Sequence, residues 1–242
     1  MPVPLRIVEA YRALALARGV AIPPEYDLAA AIGRRIELAC LANPVEIRPC
    51  HNDLLNANFI DDGQRIRIVD WEYAGMGDPF FDLGNFSINH DLTPDEDAVL
   101  LAAHDGVAHR ADRDARLARL TLMRTVSDFR EAMWGVLQQG ISTLDVDFVA
   151  YAGEHFERLL AGSTTPAFER ALLASTPGRA AHHRLRRDID PSRRGLGTGQ
   201  PGPLGAVGRD CRIRAAGKPR PQPPRAVALG PVPAVAGPGP VG

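Results

Sequence analysis

Residues 48–87 decide the fold, and they read RPCHNDLLNANFIDDGQRIRIVDWEYAGMGDPFFDLGNFS. Within them, the Asp-Asp-Gly at 61–63 is a turn signal between two short runs that carry apolar residues, 59–60 and 65–69. An Asp-Gly pair flanked by such runs favours a tight β-hairpin. The sequence therefore predicts a short hairpin whose two outer ends meet.

Three side chains with oxygen atoms converge at the mouth of this predicted hairpin. Asp53 and Asn58, which form the pattern H-x-D-x-x-x-x-N with His51, precede the first strand, and Asp70 follows the second. Hard cations such as Mg²⁺ prefer oxygen ligands and usually keep waters and substrate phosphates as further ligands. In kinases, an Asp accepts the hydroxyl proton, an Asn ends the catalytic loop and binds metal, and a later Asp bridges metal and phosphates. The spacing in residues 48–87 fits this template.

The segment resembles the choline and ethanolamine kinases and, more widely, the aminoglycoside phosphotransferases, which share the protein-kinase-like fold. The motif D-W-E-Y-A, in place of D-F-G, points to the choline-kinase branch. The resemblance covers roughly residues 3–170 and is most specific between His51 and Asn85. Asp82, in D-P-F-F-D-L-G-N, resembles the family Asp that braces the catalytic loop.

The resemblance implies a role for each polar residue of the two motifs. Asp53 is the expected catalytic base, and His51 is expected to orient the catalytic loop. Asn58 and Asp70 are the expected Mg²⁺ ligands, and Glu72 is an additional acidic group near the metal. ATP is the implied co-substrate.

Apolar residues recur at helical spacing on both sides of this segment. The predicted helices lie at about 5–19, 27–42, 79–89, 93–104, 112–139, 145–160 and 168–173. Nothing in the pattern predicts a parallel sheet or an internal repeat. The predicted fold class is therefore mainly α with a small β-hairpin, as in the C-terminal lobe of the protein-kinase-like α+β fold.

A candidate substrate site lies on the longest predicted helix, in the sequence S-D-F-R-E-A-M-W. Choline-type kinases carry a Trp at a similar place, facing the acceptor pocket, and the resemblance assigns this role to Trp134. A quaternary ammonium has no hydrogen-bond donor, so its recognition uses aromatic faces, each worth about 0.5–2 kcal/mol. Glu131 and Asp128 lie one and two turns away and add negative charge. A core position for Trp134 beside Met133 fits the same spacing.

No Gly-rich loop and no strand with a Lys precede His51, and the only lysine of the chain is Lys218. The nucleotide-binding lobe of the kinase fold carries both features. The sequence is therefore predicted to be the C-terminal lobe only, with the N-terminal lobe absent or supplied as a separate partner.

Two classes of function remain open. The first is a phosphotransferase of the choline/ethanolamine kinase type, which moves the γ-phosphate of ATP to a small cationic amino alcohol and is incomplete as this chain. An enzyme of the aminoglycoside phosphotransferase type differs from it in the acceptor. The second class is a non-catalytic fragment or binding module, and the missing Lys is the feature that separates the two.

Composition changes at Thr176, and the predicted domains follow from this change. Of 21 prolines and 23 glycines, 12 each fall in 176–242, where Phe, Tyr and Trp do not occur. Such a segment cannot bury enough apolar surface to offset the entropy of ordering it, so it is predicted to be disordered. It is either a basic interaction tail or the out-of-frame translation of GC-rich DNA. Residues 1–175 are the predicted kinase-like lobe, with the site at 48–87 and a helical subdomain at 94–175.

The charges and cysteines exclude several classes of protein. The chain has 28 Lys and Arg and 29 Asp and Glu, but 12 of the basic and only 3 of the acidic residues lie in the tail. The acidic body argues against nucleic-acid binding and suits a cationic substrate. The three cysteines form no C-x-x-C pair, and no signal peptide or membrane span is evident. A cytoplasmic location is therefore expected, with no membrane partner.

Overall fold

A computed structural model describes residues 3–105 and 112–175, so the predicted tail at 176–242 lies outside the described residues. The described part contains seven α-helices and four short strands. In chain order they are α1 (Val3–Ala17), α2 (Glu25–Ala42), β1 (Arg48–Cys50), β2 (Phe59–Asp61), β3 (Ile66–Ile68), β4 (Gly75–Gly77), α3 (Pro79–Asn89), α4 (Pro94–Asp105), α5 (Arg113–Ile141), α6 (Phe148–Ser163) and α7 (Pro166–Ala174). The predicted fold class, mainly α with a small hairpin, is confirmed.

Helix α5 is the centre of the molecule. It is 29 residues long, and every other helix packs against it. Its predicted apolar stripe is buried, because residues three and four apart lie on one face of a helix. The members of this stripe are Leu122, Val126, Phe129, Met133 and Val136.

The two helices that precede the site cover one side of α5. In α2 the buried face consists of small and apolar residues, among them Ala29, Ile32, Ile36 and Ala39. Gly33 lies on this face, and a Cβ there would come within 3.1 Å of Leu5 Cδ2, so the missing side chain lets Leu5 of α1 pack closely against α2. These helices therefore form the packing support for the segment that follows them.

The predicted hairpin is present, with β2 antiparallel to β3 and Phe59 opposite Ile68. Its turn is closed by the Asp62 carboxylate, which accepts hydrogen bonds from the backbone N–H groups of Gln64 and Arg65, both at 2.9 Å. Gly63 has φ 81°, a conformation that glycine adopts without steric cost. The Asp-Asp-Gly sequence thus supplies both the hydrogen-bond acceptor and the glycine conformation that its turn requires.

A second antiparallel pair, between β1 and β4, was not predicted from the sequence. Arg48 lies opposite Gly77, and Cys50 lies opposite Gly75. Glycine is depleted in strands, and without a side chain it cannot contribute to an alternation of apolar and polar residues. Two of the three residues of β4 are glycines, so the sequence carried no signal for this strand. This second pair joins the two ends of the segment that carries H-x-D-x-x-x-x-N and D-W-E-Y, and it brings both motifs to one edge of the lobe.

Helix α3 begins with a well-formed cap. The Asp78 carboxylate accepts a hydrogen bond from the N–H of Phe80 at 2.9 Å, and Pro79 occupies the first turn. Asp and Pro are favoured at these two positions. The cap fixes where α3 starts and therefore which of its side chains face the preceding loop. Within residues 3–105 and 112–175, no helix is both long and apolar enough to cross a membrane.

Candidate active site

The loop between β1 and β2 is held by a carboxylate of helix α3. The two oxygens of Asp82 accept hydrogen bonds from the backbone N–H groups of His51 and Asn52, both at 2.7 Å. Asn52 has φ 65°, a left-handed conformation that Asn tolerates better than most residues. These two bonds fix the turn that leads into Asp53 and tie the loop to α3.

Asn85 is a second anchor of the loop, and sequence reasoning did not assign it a role. Its side-chain oxygen accepts a hydrogen bond from the N–H of Leu54 at 2.6 Å. Its amide nitrogen donates to Ser127 Oγ at 3.0 Å and to Glu131 Oε1 at 3.2 Å on α5. The available signal was the spacing of three residues from Asp82, which places both side chains on the same face of α3.

His51 is buried and uses both ring nitrogens inside the lobe. Its Nδ1 lies 3.2 Å from the backbone N of Asp53, which donates to it, and its Nε2 lies 2.9 Å from the carbonyl oxygen of Val69. This pattern corresponds to the neutral tautomer with the proton on Nε2. The imidazole ring also contacts the Trp71 ring, with centroids 4.6 Å apart. These contacts suit a residue that orients the loop.

Asp53 and Asn58 meet within the loop. The Asn58 amide nitrogen donates to the carbonyl oxygen of Asp53 at 2.8 Å and lies 3.4 Å from its Oδ2. Because the nitrogen and oxygen of an amide lie on opposite branches, this bond turns the Asn58 oxygen away from the Asp53 carbonyl. The backbone carbonyl of Asn58 accepts a hydrogen bond from the backbone N–H of Val69 at 3.0 Å, so the end of the loop is joined to the end of strand β3.

Asp70 is the residue after Val69, whose backbone N–H donates to Asn58. The structure therefore brings Asn58 and Asp70 to adjacent ends of the hairpin. Asp70 has φ 67° and begins a 3₁₀ turn at Trp71–Tyr73 that carries Glu72 on the exposed surface. A left-handed non-glycine residue costs energy and is frequent at functional sites.

Asn58 and Asp70, which flank the hairpin, carry oxygen atoms of the kind that Mg²⁺ prefers as ligands. Mg²⁺ is usually held by one or two carboxylates together with waters and phosphate oxygens. The amide oxygen of Asn58 and the carboxylate of Asp70 are donors of this kind. In the described part of the chain, no three His, Cys, Asp or Glu side chains form a group that holds a metal by themselves.

The side chain of Asp53 is 16% exposed and faces a buried arginine that sequence reasoning missed. Arg130 Nη2 lies 3.2 Å from Asp53 Oδ1 and also contacts Glu131 Oε1. Burial raises the pKa of the Asp53 carboxyl above its ordinary value, although the Arg130 guanidinium opposes this shift. The only available signal was an Arg within the buried stripe of α5.

Glu131 and Trp134 lie beside an aromatic cluster. The hydroxyl of Tyr151 donates to Glu131 Oε2 at 2.9 Å. The half-buried Trp134 ring meets the rings of Tyr151 and Phe148 edge to face, with centroids 5.6 and 5.7 Å apart. Tyr151 thus connects the carboxylate of Glu131 to the indole of Trp134.

Asp128, the third residue predicted for substrate binding, has other partners. Its buried carboxylate accepts a hydrogen bond from Arg158 Nε at 2.7 Å and lies 2.9 Å from His155 Nδ1. These contacts favour a structural role for Asp128 between α5 and α6.

The helical lobe, its hairpin and the braced H-x-D loop have the architecture of the C-terminal lobe of a kinase-like phosphotransferase. Comparisons with known proteins agree. Residues 5–119 match the model of the phosphotransferase enzyme family. Human ethanolamine kinase 2 is 33% identical over 138 residues, which cover 50% of this chain and 35% of that protein.

Solved structures show the same relationship. The choline/ethanolamine kinase family protein from Mesorhizobium loti is 32% identical with a TM-score of 0.65, and the match covers 72% of this chain and 59% of that one. LicA in complex with AMP shares the fold at 21% identity and a TM-score of 0.54, over 66% of this chain and 53% of the other. The chain therefore spans only part of the length of the relatives it matches.

Proposed function

We propose that this chain is the acceptor-side lobe of an ATP-dependent phosphotransferase of the choline/ethanolamine kinase type. The reaction is transfer of the γ-phosphate of ATP to the hydroxyl group of a small cationic amino alcohol. The observation that carries the proposal is the meeting of Asp53 and Asn58 in a braced loop that closes onto the backbone next to Asp70. Its relatives include proteins named as ethanolamine kinases.

In this proposal Asp53 is the catalytic base. It accepts the proton of the acceptor hydroxyl as the oxygen attacks phosphorus. General base catalysis contributes roughly 10²–10⁴-fold, and it is most efficient when the pKa of the base approaches the working pH. The raised pKa of Asp53 is in the favourable direction for this role. His51 and Asp82 act by holding the loop that carries the base.

Asn58 and Asp70 are the proposed ligands of a magnesium ion, with Glu72 as a further acidic group on the exposed turn beside them. When bound, Mg²⁺ neutralises the charge that develops on the phosphate oxygens. The contribution of this chain is to present the amide oxygen and the carboxylate from two adjacent strand ends. The hydrogen bond from the Asn58 amide nitrogen to the Asp53 carbonyl fixes which way that amide faces.

The acceptor site is proposed to lie at Trp134, Tyr151 and Glu131. The faces of aromatic rings attract an ammonium group, and Glu131 lies beside Tyr151 in this cluster. Glu131 contacts Arg130, which contacts Asp53, so this cluster is joined to the base by consecutive ion pairs. Asp128 belongs to the predicted set, but its pairs with Arg158 and His155 favour a role in joining α5 to α6, next to the acceptor site.

The remaining parts of the proposal concern the rest of the enzyme. Residues 1–175 are taken as the lobe and 176–242 as a tail, and the nucleotide-binding lobe is supplied by another polypeptide or another part of a longer one. ATP as co-substrate is supported by the shared fold with LicA, whose structure contains AMP. A cytoplasmic location agrees with Cys40 and Cys50, which are free thiols.

The test is ATP turnover with choline, ethanolamine and an aminoglycoside, measured on this chain alone and with a relative's nucleotide-binding lobe added. We expect phosphorylation of an amino alcohol, reduced by roughly 10²–10⁴-fold in Asp53→Ala. Glu157→Ala, which removes an exposed carboxylate on α6, is the matched control and should keep full activity. Equal turnover by the wild type and Asp53→Ala would contradict the proposed mechanism. Absence of turnover in every mixture would favour a non-catalytic binding module.

A further inference from the structure

Arg130 is a buried cation shared between two carboxylates. It is 4% exposed, and its Nη2 contacts both Asp53 Oδ1 and Glu131 Oε1. Its guanidinium also lies over the Phe81 ring, with the central carbon 5.7 Å from the ring centroid. The contact with Asp53 joins residues 77 positions apart in the chain. Arg130 is therefore the direct link between α5 and the side chain of the proposed base.

Glu131, the other partner of Arg130, is itself held firmly. It accepts hydrogen bonds from Tyr151 at 2.9 Å and from Asn85 at 3.2 Å. Asn85 also accepts the N–H of Leu54 in the loop at 2.6 Å. One cluster thus anchors both the backbone of the loop and the carboxylate that the loop carries.

The Nε atom of Arg130 is buried without a hydrogen-bond partner. Buried donors without a partner are rare, and each calls for an explanation. The orientation that leaves Nε unpaired is the one that places Nη2 between the two carboxylates. In this orientation Nη2 contacts both carboxylates, and Nε has no partner of its own.

We propose that Arg130 is a positioning residue that holds the Asp53 carboxylate in the orientation required for accepting the hydroxyl proton; this inference rests on the proposed function. The Asn58 amide holds the backbone carbonyl of Asp53, and Arg130 holds the side chain. Removing the guanidinium leaves a largely buried carboxylate beside Glu131, and like charges at short range repel. Asp53 then turns away from α5.

The first experiment compares crystal structures of the full chain with Arg130→Met and Arg130→Lys. In Arg130→Met we expect the Asp53 carboxylate to move by more than about 1 Å, a displacement large enough to impair catalysis. In Arg130→Lys we expect a smaller movement, because an ammonium keeps the charge but loses the planar fork that reaches both carboxylates. If Arg130→Met does not fold, Arg130→Lys keeps a buried positive charge, and the position of Asp53 in that variant carries the test.

The matched control is Arg119→Met. Arg119 is also buried on α5, where it pairs with Asp78, 2.8 Å from its Nε, and not with the catalytic loop. Its loss should lower the melting temperature while leaving Asp53 in place. An Asp53 carboxylate that keeps its position in Arg130→Met, or moves equally in Arg119→Met, would overturn the proposal.

The second experiment is kinetic and uses the mixture with the nucleotide-binding lobe. We expect Arg130→Met to lower kcat by about 100-fold with KM for ATP almost unchanged, and Arg130→Lys to restore part of kcat. Equal kcat values for wild type and Arg130→Met would overturn the positioning role. If the wild type shows no turnover, the proposed function fails, whereas the comparison of crystal structures still decides whether Arg130 holds Asp53.

Discussion

The aspartates in and around this site have different roles, and the groups that surround each carboxylate set its role. Asp82 is bound to two backbone N–H groups and shapes the loop. Asp53 faces the Arg130 guanidinium, and its side chain is 16% exposed, which suits the proposed role as a base. Asp128 is enclosed by Arg158 and His155 and joins two helices. The residue type is the same in each case, and the partners set its role.

Asp82→Asn tests the loop-shaping role at the residue scale. The amide group replaces one acceptor oxygen with a donor that faces a backbone N–H. We expect the free energy of unfolding to fall by about 1–3 kcal/mol, the cost of an unsatisfied buried group, as measured by urea denaturation. Asp95→Asn, in an exposed position on α4, should change it by less than about 0.5 kcal/mol. Equal stabilities for wild type and Asp82→Asn would exclude this role.

Helices α3 and α5 pass unusually close to each other at the scale of elements. A Cβ on Gly84 would lie 2.7 Å from the backbone carbon of Met123 and 2.8 Å from the nitrogen of Arg124. Backbone atoms cannot yield in the way that a flexible side chain can. This close approach places Asp82 and Asn85 of α3 against the loop and against Ser127 and Glu131 of α5.

Gly84→Ala should therefore push the two helices apart. We expect a loss of about 1–3 kcal/mol in the free energy of unfolding, typical of overpacking a tight contact, measured by urea denaturation. Gly153→Ala on α6 is the matched control, because nothing lies within 4 Å of the added Cβ. The control should gain about 0.5–1 kcal/mol, since alanine favours a helix more than glycine does. A stabilised Gly84→Ala variant would show that the helices are not in close contact.

At the scale of the whole molecule, one core around α5 holds all the helices of the described part. Phe129 is 2% exposed, and its ring contacts Tyr26 of α2 and Phe156 of α6, with centroids 5.7 and 6.3 Å away. The next residue along the helix is Arg130. The core and the site therefore share one element, and loss of packing at Phe129 affects both.

Phe129→Ala should destabilise the lobe as a single cooperative unit. Removing a buried phenyl ring costs about 3–5 kcal/mol, and we expect one urea transition with an earlier midpoint. Leu173→Ala, in α7 and 72% exposed, should change the free energy of unfolding by less than about 0.5 kcal/mol. Two separate transitions in Phe129→Ala would show instead that α2 and α6 do not belong to one core.

The sequence by itself predicted the helices and the β2–β3 hairpin, because these depend on neighbours within a few residues. The apolar stripe of α5, the turn at Asp62 and Gly63, and the start of α3 at Asp78 and Pro79 are all of this local kind. The spacing of the motifs also predicted that Asn58 and Asp70 lie at two adjacent strand ends, because a hairpin brings its own ends together.

Only the tertiary structure decided which distant groups meet. Arg130 and Asp53 are 77 residues apart, and Asn85 reaches Glu131 across 46. The β1–β4 pair depends on glycines that carry no strand signal. Periodicity shows that a residue is buried but not what it faces, because its partner is set by the packing of α3 against α5 and not by any rule of local spacing.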